Sequence, residues 1–340
     1  MRAWVQDVYG SAEVMGLADV PEPVPGTGEV LVRVAAVSLN AADWHIMRGE
    51  PRVARLDRTN FGRRRPKQPI RGRDVAGTVV AVGPGVEDWQ VGDEVLGEHE
   101  GTLAELVAVP ASCLARRPEA VGVVEAAAAT TAVTCLDAGG VGAGTRLLVV
   151  GASGGVGTFA VQLAVARGAE VTGVCSSRNL DMVTSLGASA VLDYTRGEVE
   201  RSTTTYDVVL DLVGNRSLRD LRRLVAPRGR LVLAGGGNPG EGGYLGPIGL
   251  FARGALLGRL LGMRVTVPFA KPDAARLAEL VGMVERGELR PVVERVYPFE
   301  DGAAALRHLE VDHARGKVVV AVAAAPGEKV DPGAEPPSPA

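Results

Sequence analysis

Arg146-Leu147-Leu148-Val149-Val150-Gly151-Ala152-Ser153-Gly154-Gly155-Val156-Gly157 is the stretch on which the fold turns. Leu147 to Val150 is an unbroken apolar run, too short for a helix, with the look of a parallel strand covered on both faces. The glycines end it, and a helical pattern, Phe159 to Arg167, follows. A second run, Glu170 to Cys175, completes a strand–helix–strand unit. Read from Ala152, the turn is A-x-G-G-x-G, a variant of the dinucleotide fingerprint with alanine in the first glycine position. Gly154 and Gly155, in one turn with Ser153 and Val156, let backbone N–H groups approach a pyrophosphate seated on the helix N-terminus. Gly157 lets that helix pack close to the strand. Glycine-rich turns also occur without a ligand, but a buried strand before and a helix after supply the context that gives the motif meaning.

Working outward, the alternation continues with a helix over 179–186, strands at Ala190 to Leu192 and Asp207 to Asp211, a helix over 217–225 and a strand at Arg230 to Leu233. This predicts a doubly wound α/β half. Upstream, to about residue 120, short β-rich runs stand between Gly and Pro turns: Glu29 to Val37, Val75 to Val82, Gly92 to Leu96 and Ala104 to Val109. They predict a small barrel-like β domain. After Val267 come a helix (Ala274 to Arg286), an extended run (Pro291 to Pro298), a helix (Asp301 to Glu310) and a strand (Lys317 to Val322), expected to return to the first domain. The tail 323–340, rich in Pro, Gly, Ala and Glu, is expected to be disordered.

With 340 residues, 46% hydrophobic and 23% charged, the chain is long enough for two cores. A net charge of −3 argues against nucleic acid or an anionic membrane as partner. Cys113, Cys135 and Cys175 form no C-x-x-C pair or closely spaced framework, which favours a reducing cytoplasm. The first residues lack the apolar core of a signal peptide, and the most apolar long stretch, Ala120 to Cys135, contains Glu125 and reads as a buried helix. The arginines between Arg52 and Arg73 read as a solvated loop at a cleft mouth. A lid drawing in an anionic acceptor and an RNA contact are the other readings of that segment; the acidic total counts against RNA.

A site preferring NAD carries an acid about 20 residues past the glycines. Here Ser176-Ser177-Arg178-Asn179 stands at that place. Two hydroxyls and a guanidinium suit a 2′-phosphate, with Tyr194 adding its phenol, and a charge-assisted contact to Arg178 is worth about 1.5–3 kcal/mol. These residues predict NADPH. The plain alternative is that Ser177 caps a helix and Arg178 is solvated.

The glycine turn, Ser176 to Asn179, Leu186-Gly187-Ala188, Asp193-Tyr194 and Asp211-Leu212-Val213-Gly214 resemble the cofactor domain of medium-chain dehydrogenases/reductases. Asn40-Ala41-Ala42-Asp43, Gly72-Arg73-Asp74-Val75-Ala76-Gly77, Val91-Gly92-Asp93-Glu94-Val95 and His313 to Val319 resemble the catalytic domain. The likeness spans about residues 1–322 and is greatest to the zinc-free quinone oxidoreductase branch. It implies a chaperonin-10-like β-barrel catalytic domain over 1–122, a Rossmann cofactor domain over 123–267, a return to the catalytic domain over 268–322, and a homodimer. It also implies cofactor contacts from Thr131, Thr134, Val213, Gly214, Asn215, Gly235, Gly236, Phe269 and Lys317. Each of these also has an ordinary structural reading, as core or turn.

Where zinc dehydrogenases of this superfamily place a Cys and a Gly-His-Glu, this chain has Ser38-Leu39-Asn40 and Gly72-Arg73-Asp74. Arginine cannot ligate zinc, and His45, His99, His308 and His313 offer no ligand spacing, so no metal is expected. Without a Lewis acid, suitable hydride acceptors are those that delocalise charge: quinones and conjugated enones. Asn40 is the first candidate for binding the developing oxyanion or the nicotinamide ribose; equally, Asn40 with Asp43 has the form of a helix capping box. Trp44, His45 and Arg73 are further candidates. The alternatives are an enoyl or alkenal reductase, a non-catalytic NADPH-binding protein and, more distantly, a zinc alcohol dehydrogenase.

Overall fold

The computed structural model describes residues 1–56, 61–123, 130–237, 246–258, 263–268, 273–312 and 314–322. Phe269 and the tail 323–340 lie outside them.

In the strand Arg146–Val150, the four residues Leu147 to Val150 are all buried. Side chains alternate across a strand, so such a run needs cover on both faces. Leu147 and Val149 pack with Phe159, Ala160 and Leu163 of the helix Gly155–Ala166. Leu148 and Val150 pack on the other side with Leu221 and Leu224 of the helix Leu218–Leu224. Around this strand runs a six-stranded parallel sheet. Its spatial order is Ala190–Asp193, Glu170–Cys175, Arg146–Val150, Tyr206–Asp211, Val225–Leu233 and Arg264–Thr266. In chain order that is 3-2-1-4-5-6, the doubly wound Rossmann arrangement. It puts the switch point, where ligands bind, between Arg146–Val150 and Tyr206–Asp211.

The second sheet has seven strands and joins the two ends of the chain. Glu29–Leu39 is its spine: 11 residues, long enough to take two partners along one edge. Residues Glu29 to Arg33 pair with Leu106–Pro110, and Ala36 to Leu39 with Lys317–Ala321. Along the other edge lies Asp74–Val82, with register shifts at Leu31/Val32 and Val34/Ala36 that bend and twist the pair. Glu94–Glu98 and Leu114–Arg116 follow on that side, and Val293–Pro298 lies outside Lys317–Ala321. The core within this curled sheet contains Val30, Val32, Val34, Val75, Val79, Leu103 and Val318, all fully buried.

The two sheets meet at the glycine turn. Gly316 donates its N–H to the Ser153 carbonyl at 2.8 Å, and Gly154 pairs with Gly316 in a parallel bridge. The closing strand therefore starts from the nucleotide loop and runs into the β domain.

Candidate active site

The helix Gly155–Ala166 begins at Gly154, whose extended backbone makes it the N-cap. The first N–H groups of a helix have no partner within it, and an anion there is worth about 0.3–1 kcal/mol, more when partly buried. The glycines of the turn do different work. A Cβ on Gly157 would sit 2.1 Å from the Gly151 carbonyl oxygen, so that position serves the close approach of helix to strand. A Cβ on Gly155 would lie 2.8 Å from Lys317 Cδ. At Gly154 the nearest atom to a Cβ would be 3.5 Å away, so packing does not require a glycine there. The bare backbone at Gly154 leaves a cradle in the cleft, which fits a pyrophosphate on the helix end.

That cleft, of about 420 Å³, opens at the sheet's switch point and faces the helix Ala41–Arg48 of the β domain. Of the residues expected from sequence, it gathers Asn40, Ser153, Gly154, Gly155, Val156, Gly157, Tyr194, Val213, Asn215, Gly236 and Lys317. Phe269 lies outside the described residues.

Of the two readings of Asn40, the structure forms the capping contact and places the residue in the cleft lining. Its backbone N–H donates to Asp43 Oδ2 at 2.7 Å, which is half of a capping box. Its side chain is tied elsewhere: Nδ2 donates to Asp74 Oδ2 at 2.8 Å, and Oδ1 accepts from Lys317 Nζ at 2.7 Å. Lys317 Nζ also lies 3.3 Å from Asp74 Oδ2 in a buried ion pair. Asp43 is buried too, its Oδ1 accepting the Gly72 N–H at 2.9 Å, and burial pushes its carboxyl above the usual range despite Arg71 and Arg73 nearby.

Arg73 is placed differently from expectation. Its guanidinium pairs with Glu98 at 3.0 Å and Glu100 at 3.8 Å, and it does not line the cleft. Thr131 and Thr134 lie on the helix Thr130–Gly139 and are not among the cleft-lining residues; Thr134 Oγ1 accepts from Arg276 Nη1 at 3.4 Å. Gly214 and Gly235 pack on each other: a Cβ on Gly235 would come within 2.3 Å of the Val213 carbonyl carbon, and one on Gly214 within 2.7 Å of the Gly235 oxygen. Their role here is to let two turns touch.

The Ser-Ser-Arg segment follows Cys175, itself a cleft residue. Ser177 Oγ bonds the Asp193 carboxylate and lies 3.0 Å from Thr195 Oγ1. Ser176 Oγ accepts from Asn179 Nδ2 at 3.3 Å. Arg178 is exposed, with Nη2 donating to the Asp312 carbonyl at 3.1 Å.

Three site residues were not assigned a role from sequence. Asp74 anchors the Asn40–Lys317 contact. Asp211, fully buried, accepts the Val213 and Gly214 N–H groups at 3.0 Å each and shapes the turn beside the cleft; burial raises its carboxyl pKa. Their signal in sequence was the isolated acid after an apolar run or in an arginine-rich stretch. Arg216 lines the cleft beside Asn215 with nothing in the sequence to single it out.

Two family descriptions cover most of the chain: the alcohol dehydrogenase GroES-like domain matches residues 26–167, and the zinc-binding dehydrogenase family matches residues 186–320. A mitochondrial NAD(P)H oxidoreductase of Mus musculus is 34% identical, over 95% of this chain and 89% of its own. A chloroplastic NADPH-dependent alkenal/one oxidoreductase of Arabidopsis thaliana is 32% identical, over 94% of this chain and 79% of its own. Among solved structures, the quinone oxidoreductase of Coxiella burnetii superposes with a TM-score of 0.81 at 25% identity, covering 95% of this chain and 99% of that one. No described helix is long and apolar enough to cross a membrane.

Proposed function

Because the chain belongs to the medium-chain dehydrogenase/reductase superfamily, in its quinone oxidoreductase-like branch, we propose that it is an NADPH-dependent oxidoreductase that passes hydride to a quinone or conjugated enone without a metal. The observation that carries this reading is the single cleft in which the glycine turn Ser153 to Gly157 faces Asn40, Trp44 and His45 of the β domain. Cofactor and acceptor sites then share one cavity, as hydride transfer needs.

Gly154 and Gly155 would hold the pyrophosphate on the helix N-terminus, with Ser176, Arg178 and Tyr194 toward the 2′-phosphate. Bound NADPH supplies the hydride. The protein's part is to orient, through Asn40 fixed between Asp74 and Lys317, and to keep water out with apolar walls such as Leu39, Trp44 and Leu212. The metal-free reading rests on Ser38 and Arg73 standing at the zinc-ligand positions of related dehydrogenases, and on the Lys317 ammonium beside Asp74.

In this reading residues 1–122 and 268–322 form the catalytic domain and 123–267 the cofactor domain. Cytoplasmic placement rests on three free cysteines, although several relatives are named mitochondrial or chloroplastic. A homodimer follows from the family, and neither nucleic acid nor membrane enters as partner.

The test is NADPH oxidation against a benzoquinone, a naphthoquinone, an α,β-unsaturated ketone and a simple aldehyde, with NADH as control and metal content measured alongside. Turnover of quinones or the enone, with NADPH preferred and no stoichiometric zinc, is expected. Activity with the enone alone would mark an alkenal reductase. Activity only with NADH, or only with bound zinc, would overturn the reading.

A further inference from the structure

Arg216 lines the cleft from the turn that follows the strand Tyr206–Asp211, next to Asn215. Its side chain is 15% exposed, which is little for an arginine. Nη1 is tied to the Glu200 carboxylate, and Nε is closed off without a hydrogen-bond partner. Nη2 makes no hydrogen bond among the described residues. Ordering a long side chain costs conformational entropy, and a buried donor left unmade adds to it. A guanidinium held this way at a cleft wall calls for an explanation.

Its partner identifies the end of the cleft. Glu200 sits on the short helix Glu198–Arg201, directly after the turn Tyr194–Arg196, and Tyr194 is itself a cleft residue. Val174 and Cys175 also line the cleft, at the end of the strand Glu170–Cys175 from which Ser176 to Arg178 continue. These are the residues read as meeting the adenosine half of the cofactor, whereas Asn40 and Trp44 come from the β domain. Val174, Leu212 and Val213 make the lining here largely apolar, which suits a flat base better than a phosphate. The charge on Arg216 argues the same way. Glu200 compensates it and is itself more than half exposed, so a phosphate approaching Arg216 would meet that carboxylate too. A planar guanidinium fixed by a carboxylate keeps its faces for stacking on an aromatic ring.

We propose that Arg216, held by Glu200, is the platform on which the adenine ring of the dinucleotide lies. The proposal rests on the reading of the cleft as a dinucleotide site and adds to it the side chain that meets the base. It gives the two arginines at that end different work. Arg178 is directed at the 2′-phosphate, which only NADPH carries. Arg216 meets the ring that NADPH and NADH share, so its contribution is the same for both.

The experiment titrates NADPH and NADH into wild type, Arg216→Ala and Arg216→Tyr on the full chain, by calorimetry, with thermal midpoints measured without cofactor. Alanine removes the platform; tyrosine restores a flat face without the charge. The expected result is that Arg216→Ala weakens both cofactors by the same factor, about tenfold, with the midpoint little changed. Arg216→Tyr is expected to recover much of that affinity for both. A loss confined to NADPH would put Arg216 at the 2′-phosphate and overturn the inference. If wild type binds and Arg216→Ala matches it, the inference fails while the functional reading stands. A loss for both cofactors that Arg216→Tyr does not recover makes Arg216 a packing or charge residue, and also overturns it. If wild type binds neither cofactor, both fail.

Discussion

Lys317 Nζ lies 2.7 Å from Asn40 Oδ1, joining two residues 277 positions apart at the seam between the nucleotide turn and the β domain. Asp74 closes the triangle, accepting from Asn40 at 2.8 Å and from Lys317 at 3.3 Å. The lysine neutralises a carboxylate that is otherwise buried. Lys317→Met is therefore expected to destabilise the protein by about 3–5 kcal/mol, because it strands the Asp74 charge. Adding Asp74→Asn in the same chain should recover part of that loss. Urea unfolding of the single and double variants checks it, and equal stabilities for all three would refute the buried pair as a structural tie.

Gly154 and Gly157 are three residues apart and should respond in opposite ways to alanine. Gly157→Ala places a methyl 2.1 Å from the Gly151 oxygen and should cost several kcal/mol or prevent folding. Gly154→Ala meets nothing nearer than 3.5 Å and should leave the thermal midpoint within a few degrees while weakening NADPH binding. Calorimetry and cofactor titration of the pair separate the two roles. Unchanged NADPH affinity in Gly154→Ala would remove the pyrophosphate from this turn.

Arg178 is exposed at the rim beyond Cys175. Arg178→Ala should weaken NADPH by about tenfold or more, the loss of one charge-assisted contact of about 1.5–3 kcal/mol, and leave NADH nearly unaffected. Dissociation constants for both cofactors on both proteins provide the check. Equal losses for the two would mean that Arg178 does not meet the 2′-phosphate.

His45 also makes a prediction about stability and pH. Burial lowers its pKa from 6.5 to about 4, so between those values the unfolded chain takes up a proton that the folded protein does not. Stability from this residue is therefore lost as the pH falls through that window and is unaffected above it. At about 1.4 kcal/mol per pKa unit, the loss reaches as much as about 3 kcal/mol near pH 4. Subtracting the stability of His45→Phe from that of wild type at each pH isolates the effect. A flat difference between pH 7 and 4 would mean that the ring titrates normally.

Much of the fold was legible because its signals are local. The buried strand Arg146–Val150, the glycine turn and the helix after it are written in about twenty consecutive residues, where hydrophobic period and glycine position define the conformation. Observed strands and helices fall close to the expected ones: Ala274–Glu285 for a helix read to Arg286, and Glu94–Glu98 for a strand read from Gly92. Val225–Leu233 runs five residues further back than its apolar stretch, since Pro227 and Gly229 interrupt the pattern without ending the strand.

The candidate site was most legible where it is made of backbone. The cradle at Gly154 follows from the absence of side chains, which sequence states outright. What the polar side chains do was decided by distant partners. Arg73, plausible at a cleft mouth, turns to Glu98, and Ser177 turns to Asp193, 16 positions along the chain. Asn40 could be read as cap or as cleft amide, and packing made it a cap through its backbone and a strut through its side chain.

A nucleotide-binding α/β half and a β domain are written locally, because strand, turn and helix propensities act within a few residues. Which polar groups spend their hydrogen bonds on one another follows from packing between distant segments. That choice depends on contacts between residues such as 40, 74 and 317, which only folding brings together.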